Sequence, residues 1–546
     1  MNKLWYGDNL TIMQGMKKHS VDLIYLDPPF NSKQNYNLLY KTMTGKPVPE
    51  QVEAFCDTWE MDAQKEAIAR SMPVLMRQHG VDDCYVDFWR LWMQALRTTQ
   101  PHLLAYLIFM VQRLLHMKSI LRPTGSIYLH CDPTASHYLK VVLDTIFGVQ
   151  NFRNEVTWKR TSTHSDAKNY SKVSDILLYY SKSSDFVWNS IRVEYSDNYI
   201  EKYYSQNDEK GQYQFADLTK PKGSVGYFYD LLGCKPPPNG WRMPETTANK
   251  WLNEGRIDIP NTGKTPRYKR YVHELKGQVT GNIWTDIAPI NSQAKDSMGY
   301  PTQKPLALLE RILLASSNPG DIVLDPFSGC GTAIAAAQKL GRRWIGIDIT
   351  HLAIAMHKSR LKDMFGLLPE KDYNVVGEPV DLNGAEALFR QNAYQFQWWA
   401  VSLIGAKPQG GDGGKAGKKG SDRGIDGVII FTEDLKGRAG KILVQVKGGG
   451  VKSGDVRDLR GVIERENAAM GIFLTLKPST SEMRVEADKA GMYHSDLWSK
   501  DYPRLQIVTV EELLNGRMPD LPRWLDDPHK KAGRVKGEGG QIEMEM

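Results

Sequence analysis

Cysteine is scarce in this chain. Five cysteines occur among 546 residues, at positions 56, 84, 131, 234 and 330. Their spacing matches neither a zinc-ligand pattern nor a plausible disulfide framework. The scarcity argues against a disulfide-stabilised secreted domain, and we expect a reduced, cytoplasmic protein.

Long apolar runs are missing as well. The longest, Leu103 to Val111, is followed by Gln112 and Arg113, whereas a membrane-spanning helix needs about 20 mostly apolar residues. The amino-terminal letters MNKLWYGDNL lack the apolar core of a signal peptide. We therefore expect no membrane role.

A strong charge of one sign is also absent. The net charge of +7 is modest, and 41% hydrophobic with 24% charged residues is typical of a globular, soluble chain. Basic residues nevertheless form separated clusters, several of them near Trp or Tyr: Lys159 with Arg160, Lys220 with Lys222, Arg267 to Arg270, Arg342 with Arg343, and Lys415 to Lys419. Such clusters can follow a phosphate backbone and stack on bases, although each one alone is more often a solvated surface.

The letters SVDLIYLDPPFNSKQNYN, residues 20 to 37, contain a predicted buried strand with an abrupt end. The strand runs from Val21 to Leu26, and the segment Asp27 to Phe30 stops it because proline fixes φ and offers no N–H to a ladder. Ligands of open α/β sheets bind at the carboxyl ends of strands. The turn is either a binding site for something flat and polar or only a stiff turn.

The letters NPGDIVLDPFSGCGTAIAAAQKLGRRWIGIDI, residues 318 to 349, predict a strand, a glycine turn, a helix and a second strand. The strands are Ile322 to Leu324 and Trp344 to Ile347, the turn is Asp325 to Gly331, and the helix is Thr332 to Leu340. Glycines let a backbone approach a ligand closely, and an acid about twenty residues further on can bind ribose hydroxyls. This unit is typical of nucleotide binding.

Two common phosphate-binding fingerprints are missing from this unit. Ile334 stands where a dinucleotide site has its third glycine, and no Gly-Lys-Ser/Thr ending follows the glycine turn. The remaining interpretation is a nucleoside ligand without a phosphate chain, such as S-adenosylmethionine.

Together the two stretches resemble the DNA amino-methyltransferases, which methylate an exocyclic amine of adenine or cytosine. The matching motifs are the catalytic turn Asp27-Pro28-Pro29-Phe30 and the cofactor loop Asp325-Pro326-Phe327-Ser328-Gly329-Cys330-Gly331-Thr332. Further matches are WYGDNL (5 to 10), GSIYLHCDP (125 to 133) and GYPTQKPLALLERIL (299 to 313), so the resemblance covers about residues 1 to 365. Because the catalytic turn precedes the cofactor loop, the chain is similar to the permuted group called beta. Cys330 departs from the serine that the family often has.

The resemblance implies roles for these residues. Asp27 and the Pro28 carbonyl would accept the two N–H groups of the target amine, Pro29 would stiffen the turn, and Phe30 would stack on a flipped-out base. An acid at position 27 favours N6 of adenine over N4 of cytosine. S-adenosylmethionine would be bound by the cofactor-loop residues Asp325, Phe327, Gly329, Gly331 and Thr332, by Asp348 at its ribose, by Asp8 near its adenine, and by Thr302 and Lys304 at its methionine part. For Asp8 and Lys304 an ordinary surface role is the alternative, and His130 and Asp132 are interpreted as structural.

Two further regions belong to the methyltransferase part. Residues 151 to 299 are aromatic and basic, and in the family this region recognises the DNA target. Residues 41 to 100, rich in Trp and Met, are expected to form packed helices, with a cap or an oligomer surface as the alternative.

Beyond residue 365 the methyltransferase resemblance stops. The basic, glycine-rich letters GAKPQGGDGGKAGKKGSDRG (405 to 424) lead into a predicted strand that begins near Asp426. The next strand ends in Gln445-Val446-Lys447, and alternation places Gln445 and Lys447 on one face. An acid, a second oxygen ligand and a lysine at a sheet edge could bind Mg²⁺ and activate water on a phosphodiester.

These residues resemble the PD-(D/E)xK nucleases, particularly the Mrr-like branch, in which Gln can replace the middle acid. The resemblance implies Asp426 and Gln445 as metal ligands and Lys447 as a catalytic partner. A helix over 385 to 403, another over 453 to 467 and a strand at 470 to 476 fit that core. The helix acid often present in the fold would fall near Gln395 or Gln397, and the neutral Gln445 is a weaker ligand than a carboxylate.

The expected fold is α/β: a Rossmann-like methyltransferase with an inserted target-recognition region, followed by an α/β restriction-endonuclease-like domain. The expected parts are residues 1–150 and 300–370 for the methyltransferase, 151–299 for target recognition, 385–525 for the nuclease domain, and 526–546 for a tail.

The favoured interpretation is a restriction-modification enzyme that acts on double-stranded DNA, with a homodimer as a possible assembly. The alternatives are a solitary methyltransferase whose last domain only binds DNA, a non-catalytic DNA-binding regulator, methylation of N4 of cytosine, and cleavage of methylated instead of unmethylated DNA.

Overall fold

A computed structural model describes residues 2–29, 59–133, 135–162, 170–259, 265–290, 303–408, 425–433 and 438–522. Phe30, Thr302 and the expected tail 526–546 therefore lie outside the described residues. The chain forms two compact units, residues 190–281 and the rest of the chain, and each is considered by itself.

Strands and helices alternate along much of the chain. The strands are β1 Asn2–Tyr6, β2 Val21–Leu26, β3 Leu121–Cys131, β4 Phe152–Lys159, β5 Ser174–Ser181, β6 Arg192–Val193, β7 Gln206–Asp208, β8 Gly211–Asp217, β9 Ile257–Asp258, β10 Arg267–Tyr271, β11 Gln278–Val279, β12 Ile283–Trp284, β13 Ile322–Asp325, β14 Arg343–Asp348, β15 Tyr373–Val376, β16 Lys407–Pro408, β17 Gly427–Thr432, β18 Ala439–Lys447, β19 Met470–Thr475, β20 Met492–Ser495, β21 Lys500–Pro503 and β22 Leu505–Thr509. The α-helices are α1 Asn9–Gln14, α2 Ala63–Gln78, α3 Asp83–Thr99, α4 Pro101–Ile120, α5 Ser136–Phe147, α6 Asp197–Tyr203, α7 Glu245–Asn253, α8 Leu306–Ser316, α9 Thr332–Lys339, α10 His351–Phe365, α11 Leu382–Gln391, α12 Ala393–Leu403, α13 Ser453–Arg465, α14 Ser481–Asp488 and α15 Val510–Leu514.

A nine-stranded sheet, in the order β12-β4-β5-β3-β2-β13-β14-β1-β15, forms the centre of the larger unit. All neighbours in it are parallel except at β5, which runs antiparallel to β3 and β4. Every residue of β2 is buried, as expected for a parallel strand covered on both faces. The carboxyl ends of β2, β13, β14 and β1 therefore lie side by side at one sheet edge.

The sheet order differs from the chain order. Leu23 of β2 lies opposite Val323 of β13, although most of the chain separates them. The predicted strand from Val21 to Leu26 is confirmed, as are the strand-turn-helix-strand bounds of the cofactor unit to within one residue. The two sequence motifs thus become neighbours only through the sheet.

The longest apolar stretch of the sequence lies in helix α4. By length and composition this 20-residue helix could cross a membrane, and it is the one such helix among the described residues, but 72% of its apolar window is buried inside the protein. Its buried residues pack in one cluster with β2 and with Met72 of α2 and Trp89 of α3. The helical packing expected before residue 100 is confirmed for the described part of that segment.

The region expected to recognise the target, residues 151–299, contains strands of the main sheet as well as a separately folded part. Strands β4, β5 and β12 belong to the main sheet, because their apolar residues pair with β3 and with each other. The separately folded part is residues 190–281. The main sheet also continues beyond residue 370, since β15 pairs with β1.

The smaller unit has its own core. Its sheets have the orders β7-β8-β10-β9 and β11-β6, and Trp241 is fully enclosed within a cluster of apolar side chains. Its surface carries exposed apolar side chains, namely Val225, Tyr227, Phe228 and Leu232.

A five-stranded sheet, in the order β16-β17-β18-β19-β22, forms the carboxyl-terminal domain. The single helix predicted over 385 to 403 is instead two helices, α11 and α12. The break occurs at Asn392, whose side-chain oxygen accepts hydrogen bonds from the N–H groups of Tyr394 and Gln395 and so caps α12.

Candidate active sites

Three carboxylates meet at the shared edge of the main sheet. Asp27 follows β2, Asp325 ends β13 and Asp348 ends β14, and these three strands are neighbours. Parallel strands bring their carboxyl ends to one edge, so the predicted catalytic turn and cofactor loop come together there.

The carboxylate of Asp27 has one bonded oxygen and one open oxygen. Lys304 Nζ donates to Asp27 Oδ2 at 2.6 Å, and these two side chains are only 10% and 17% exposed. Asp27 Oδ1 is buried and has no hydrogen-bond partner among the described residues. A buried acceptor without a partner is costly, so this oxygen is suited to accept a hydrogen bond from a ligand.

A buried polar chain lies behind the catalytic turn. Tyr25 OH is 2.9 Å from His130 Nδ1, and His130 Nε2 is 3.1 Å from Asp175 Oδ2. Arg160, from one of the basic clusters, pairs with Asp175 at 3.4 Å. His130 is fully buried in these contacts, which fits its predicted structural role. Asp175 lies 43 residues after Asp132, outside the sequence motifs, and was therefore not predicted.

The charges around Asp175 affect its ionisation. Burial by itself raises the pKa of this carboxyl, but the hydrogen bond and charge of His130 and the charges of Lys304 and Arg160 outweigh burial and lower it. Burial, together with the charge of Asp27, raises the pKa of Tyr25, so this phenol stays protonated. Asp175 therefore acts as the anion of the buried chain.

The cofactor loop turns sharply at its glycines. Gly329 and Gly331 have φ values of 47° and 78°, and Gly331 begins α9 with no side-chain cap. A Cβ on Gly331 would meet the buried His357 ring at 3.0 Å, so the loop requires a residue without a side chain there. The uncapped start of α9 leaves first-turn N–H groups for a ligand.

Buried acids flank this loop. Burial, with the charges of Asp27 and Asp348 acting in the same direction, raises the pKa of Asp325 well above its usual range. Its Oδ1 accepts from the Phe327 N–H at 3.1 Å. The Phe327 ring lies 6.2 Å from the ring of Phe109, so the loop packs against α4.

Asp348 fixes the loop and the start of α10. Its Oδ2 accepts from the Gly329 N–H at 2.8 Å, and its Oδ1 accepts from the N–H and hydroxyl of Thr350 at 3.0 and 2.9 Å. Burial raises the pKa of Asp348 to about 6, although these hydrogen bonds act in the opposite direction. Oδ2 keeps a lone pair that a ribose hydroxyl could use, whereas the two hydrogen bonds from Thr350 occupy both lone pairs of Oδ1.

Asp8 is bonded to helix α4, although its side chain is 39% exposed. Arg113 Nη2 donates to Asp8 Oδ1 at 2.7 Å, and Arg113 Nε donates to Asn9 Oδ1 at 2.7 Å. Asn9 in turn donates to the carbonyl of Pro326 at 2.7 Å. This network joins β1, α4 and the cofactor loop. Sequence reasoning missed Arg113 because its signal is only a lone charge inside an apolar helix.

The carboxyl-terminal site begins with Asp426 beside β17. The antiparallel register Gly427 opposite Val444 continues to Asp426 opposite Gln445. Asp426 Oδ2 accepts from the Val446 N–H at 2.6 Å, and Gln397 Nε2 donates to Asp426 Oδ1. Lys447 ends β18 two residues after Gln445, on the same face. The three predicted residues thus lie at the same end of β17 and β18.

Two glutamines of α12 are candidates for the helix position of this site, and they have different partners. Gln397 of α12 contacts Asp426. Gln395 instead accepts the His351 N–H at 2.8 Å, at the start of α10. Helix α12 thus contacts both the methyltransferase part and the carboxyl-terminal acid.

The donor set suits a hard cation only in part. Gln445 Oε1 is buried without a hydrogen-bond partner among the described residues, and Gln445 and Asp426 lie at the same end of the paired strands β17 and β18. Amide and carboxylate oxygens are suitable donors for Mg²⁺. The described residues contain no group of three His, Cys, Asp or Glu side chains placed to hold a metal. One carboxylate and one amide give this site less negative charge than two carboxylates would.

Family models match both parts of the chain. The model described as "DNA methylase", for N6 and N4 methyltransferases, matches residues 21–358, more than half of the chain. The model described as "NACHT-associated inactive Restriction Endonuclease 1" matches residues 412–515.

Curated relatives resemble the first part. The chain is 32% identical over 301 residues to the type II methyltransferase M.EcaI of Enterobacter cloacae, covering 54% of this chain and 62% of that protein. It is 29% identical over 357 residues to the Mod subunit of the type III restriction-modification enzyme StyLTI of Salmonella typhimurium, covering 61% and 49%. A stretch of 84 residues, 15% of this chain and 28% of the relative, is 51% identical to the DNA adenine methyltransferase YhdJ of Escherichia coli. The chain thus spans less than two thirds of the length of each of these relatives.

Solved structures resemble it more weakly. The M1.HpyAVI complex with S-adenosylmethionine is 17% identical, with 66% of this chain and 100% of that chain covered and a TM-score of 0.28. The cytosine-N4-specific PvuII DNA methyltransferase is 12% identical, with 66% and 86% covered and a TM-score of 0.32. These values are too low to bear on function.

Proposed function

Since the chain belongs to the DNA methylase family, we propose that it methylates an exocyclic amine in double-stranded DNA, with N6 of adenine as the target. S-adenosylmethionine is the proposed methyl donor. The observation that carries the proposal is the open Asp27 Oδ1, buried at the same sheet edge as the glycine loop and Asp348.

The residues of this chain orient a poor nucleophile. The lone pair of an exocyclic amine is delocalised into the base ring. Asp27 Oδ1 accepts one N–H and the Pro28 carbonyl accepts the other, which draws the nitrogen toward tetrahedral geometry and frees its lone pair. This is catalysis by position and by a fixed charge.

The electrons and protons of the transfer balance without a further reactant. When bound, S-adenosylmethionine supplies a methyl group on a sulfonium, whose sulfur keeps the electron pair of the broken bond. The amine nitrogen forms the new bond with its lone pair and gains a positive charge. Asp27 stabilises that charge and accepts the proton that the nitrogen then releases.

The proposed cofactor residues bind different parts of S-adenosylmethionine. The uncapped start of α9 and Gly329 allow close approach of the nucleoside, and Asp348 binds its ribose hydroxyls. Asp8, held by Arg113, lies two residues beyond the end of β1 near the proposed adenine position. The chain order of catalytic turn before cofactor loop supports the permuted beta arrangement.

Adenine is preferred over cytosine on two grounds. The family resemblance associates an acid at position 27 with adenine. In addition, the relative with 51% identity over its matched stretch is named a DNA adenine methyltransferase.

The smaller unit is the proposed target reader. Its exposed rings Tyr227 and Phe228 and its basic strand β10, with Arg267 and Arg270, combine stacking groups with phosphate-binding groups. The target base must leave the duplex before it can reach Asp27.

A second proposal concerns the carboxyl-terminal domain, which we propose cuts DNA with Mg²⁺ held by Asp426 and Gln445. The supporting observation is the unpartnered buried Gln445 Oε1 beside Asp426. When bound, Mg²⁺ would polarise the phosphodiester. Lys447 would stabilise the charge that develops on the phosphate, and Gln397 orients Asp426. The chain would then combine modification and restriction.

A DNA-holding domain without cleavage is the alternative. The word "inactive" in the description of the matching model and the single carboxylate favour it. Cleavage of methylated DNA is a further form of the nuclease proposal.

One experiment tests these proposals. Purified protein is incubated with methyl-free plasmid and Mg²⁺, with and without S-adenosylmethionine, and the DNA is examined on a gel and by sequencing of modified bases. We expect N6-methyladenine at one short sequence and discrete fragments that disappear after prior methylation. N4-methylcytosine would overturn the adenine assignment, methylation without fragments would overturn the nuclease, and no methylation would overturn the main proposal.

A further inference from the structure

Lys304 lies among buried acids. Its ammonium bonds Asp27 Oδ2 at 2.6 Å. Its charge contributes to the lowered pKa of Asp175, and it opposes the burial that raises the pKa of Asp325. A cation in this position offsets the repulsion among carboxylates that the sheet edge forces together.

The contact with Asp27 is specific in its geometry. Of the two oxygens, the lysine bonds Oδ2 and leaves Oδ1 buried and open. Both side chains are largely removed from water, so their attraction is weakly screened. The ion pair therefore holds the carboxylate in one rotation, with a defined oxygen directed to a ligand.

The sequence motif suggests a different role for this residue. Its resemblance places Lys304 at the methionine part of the cofactor. However, a methyl sulfonium is itself positive, and a lysine cation close to it is unfavourable unless the lysine charge is neutralised. Pairing with Asp27 provides that neutralisation.

We propose that Lys304 is a positioning residue for methyl transfer, which acts by fixing the orientation of the Asp27 carboxylate that receives the target amine. The inference rests on the proposed DNA amine methylation. It assigns to Lys304 an effect on the transfer step that is larger than its effect on cofactor affinity.

The test separates those two effects. Lys304→Met, Lys304→Arg and the wild type are compared by calorimetric titration with S-adenosylmethionine and by single-turnover transfer of labelled methyl to methyl-free genomic DNA at saturating cofactor. Lys339→Met is the matched control, because Lys339 pairs with Glu310 on the far, exposed side of α9. Thermal unfolding and far-UV circular dichroism check that each variant is folded.

We expect the transfer rate of Lys304→Met to fall by about 100-fold, since a small displacement of a catalytic group can cost that much. The cofactor Kd should change less than threefold, and Lys304→Arg should recover part of the rate. Lys339→Met should match the wild type. In an Asp27→Asn background, Lys304→Met should add no more than a threefold further loss, because the carboxylate through which it acts is gone.

Opposite results overturn the inference. A tenfold rise in Kd with an unchanged transfer rate would make Lys304 a cofactor ligand instead. Independent, multiplying losses in the double variant would show that Lys304 does not act through Asp27. If Lys304→Met is unfolded, Lys304→Arg and the double variants carry the test. A wild type that transfers no methyl would overturn the proposed function itself, a result distinct from both others.

Discussion

The main-sheet site and the carboxyl-terminal site both place an acid beside a buried strand, but they differ in charge. Asp27 shares its edge with Asp325 and Asp348 and is paired with a lysine. Asp426 is bonded by a backbone N–H and by the neutral Gln397. The first site thus pairs its acid with a lysine, whereas two of the hydrogen bonds to Asp426 come from neutral groups.

The two sites therefore differ in the charge that their chemistry still requires. Amine methylation requires a fixed anion and an open acceptor oxygen, both of which Asp27 and Lys304 provide. Phosphodiester cleavage requires more positive charge than Lys447 alone, and one carboxylate with one amide binds Mg²⁺ weakly. We therefore expect the first site to be complete in the chain and the second to depend on metal concentration.

The largest expected effect is on methylation. Asp27→Asn should lower the single-turnover methyl-transfer rate by about 100- to 1,000-fold, because an amide cannot supply the negative charge that stabilises the cationic amine. Cleavage of methyl-free plasmid should stay within twofold of the wild type.

The control for this variant is Asp83→Asn, since Asp83 is exposed on α3 and pairs only with Arg77 among the described contacts. Full methylation by Asp27→Asn would remove the main-sheet acid from catalysis. Loss of cleavage in the same variant would show that the two sites are not independent.

The corresponding experiment removes charged groups from the carboxyl-terminal site. Asp426→Asn and Lys447→Met should each reduce plasmid cleavage by about 100-fold in 1 to 10 mM Mg²⁺, because each removes a charge from the phosphate site. Methyl transfer should be unchanged, as it should be in the exposed-acid control Asp458→Asn. A gel time course measures the first rate and label incorporation the second. Cleavage that survives both substitutions would place the nuclease chemistry elsewhere.

Cofactor affinity should depend on pH through Asp348. Its pKa is raised to about 6 in the protein without cofactor, and ribose hydroxyls bind the ionised form better. Affinity for S-adenosylmethionine should therefore be constant above pH 7 and fall below pH 6, approaching tenfold per pH unit. Calorimetry from pH 5 to 8 measures this.

In Asp348→Asn the affinity should be lower at pH 7.5, and the part of the pH dependence due to this group should disappear. An unchanged pH profile in that variant would exclude Asp348 as the titrating group.

The smallest effects are expected at α12. Gln395→Ala leaves the buried His351 N–H without its acceptor, which should cost about 1 to 3 kcal/mol and lower the thermal unfolding midpoint. Gln397→Ala should leave that midpoint nearly unchanged but slow cleavage, since it removes one of the hydrogen bonds that orient the Asp426 carboxylate. The two variants are each other's control. Equal effects on both measurements would contradict the division of α12 into two faces.

The local sequence was sufficient for some elements. The apolar run from Val21 to Leu26 is long enough for one strand and ends at a proline pair, so its bounds were predicted correctly. Gly329 and Gly331 were predicted as a close-approach loop, and both have left-handed φ values.

Other features could not be predicted locally. The helix from 385 to 403 looked continuous, but the Asn392 side chain caps a second helix within it. The partner of Lys304 was not predicted, because it lies 277 positions away. The same holds for Arg113, whose charge is buried only because it bonds Asp8 and Asn9.

The sequence by itself determined which groups are available: an acid with two prolines after a buried strand, a glycine loop, and a second acid-amide-lysine set after residue 425. Only the tertiary structure decided which of them meet. Periodicity and turn residues act over a few positions, whereas strand pairing between β2 and β13 and the burial that forces Asp27 toward Lys304 depend on the whole sheet. Short motifs therefore supply the reactive groups, and long-range packing sets their geometry.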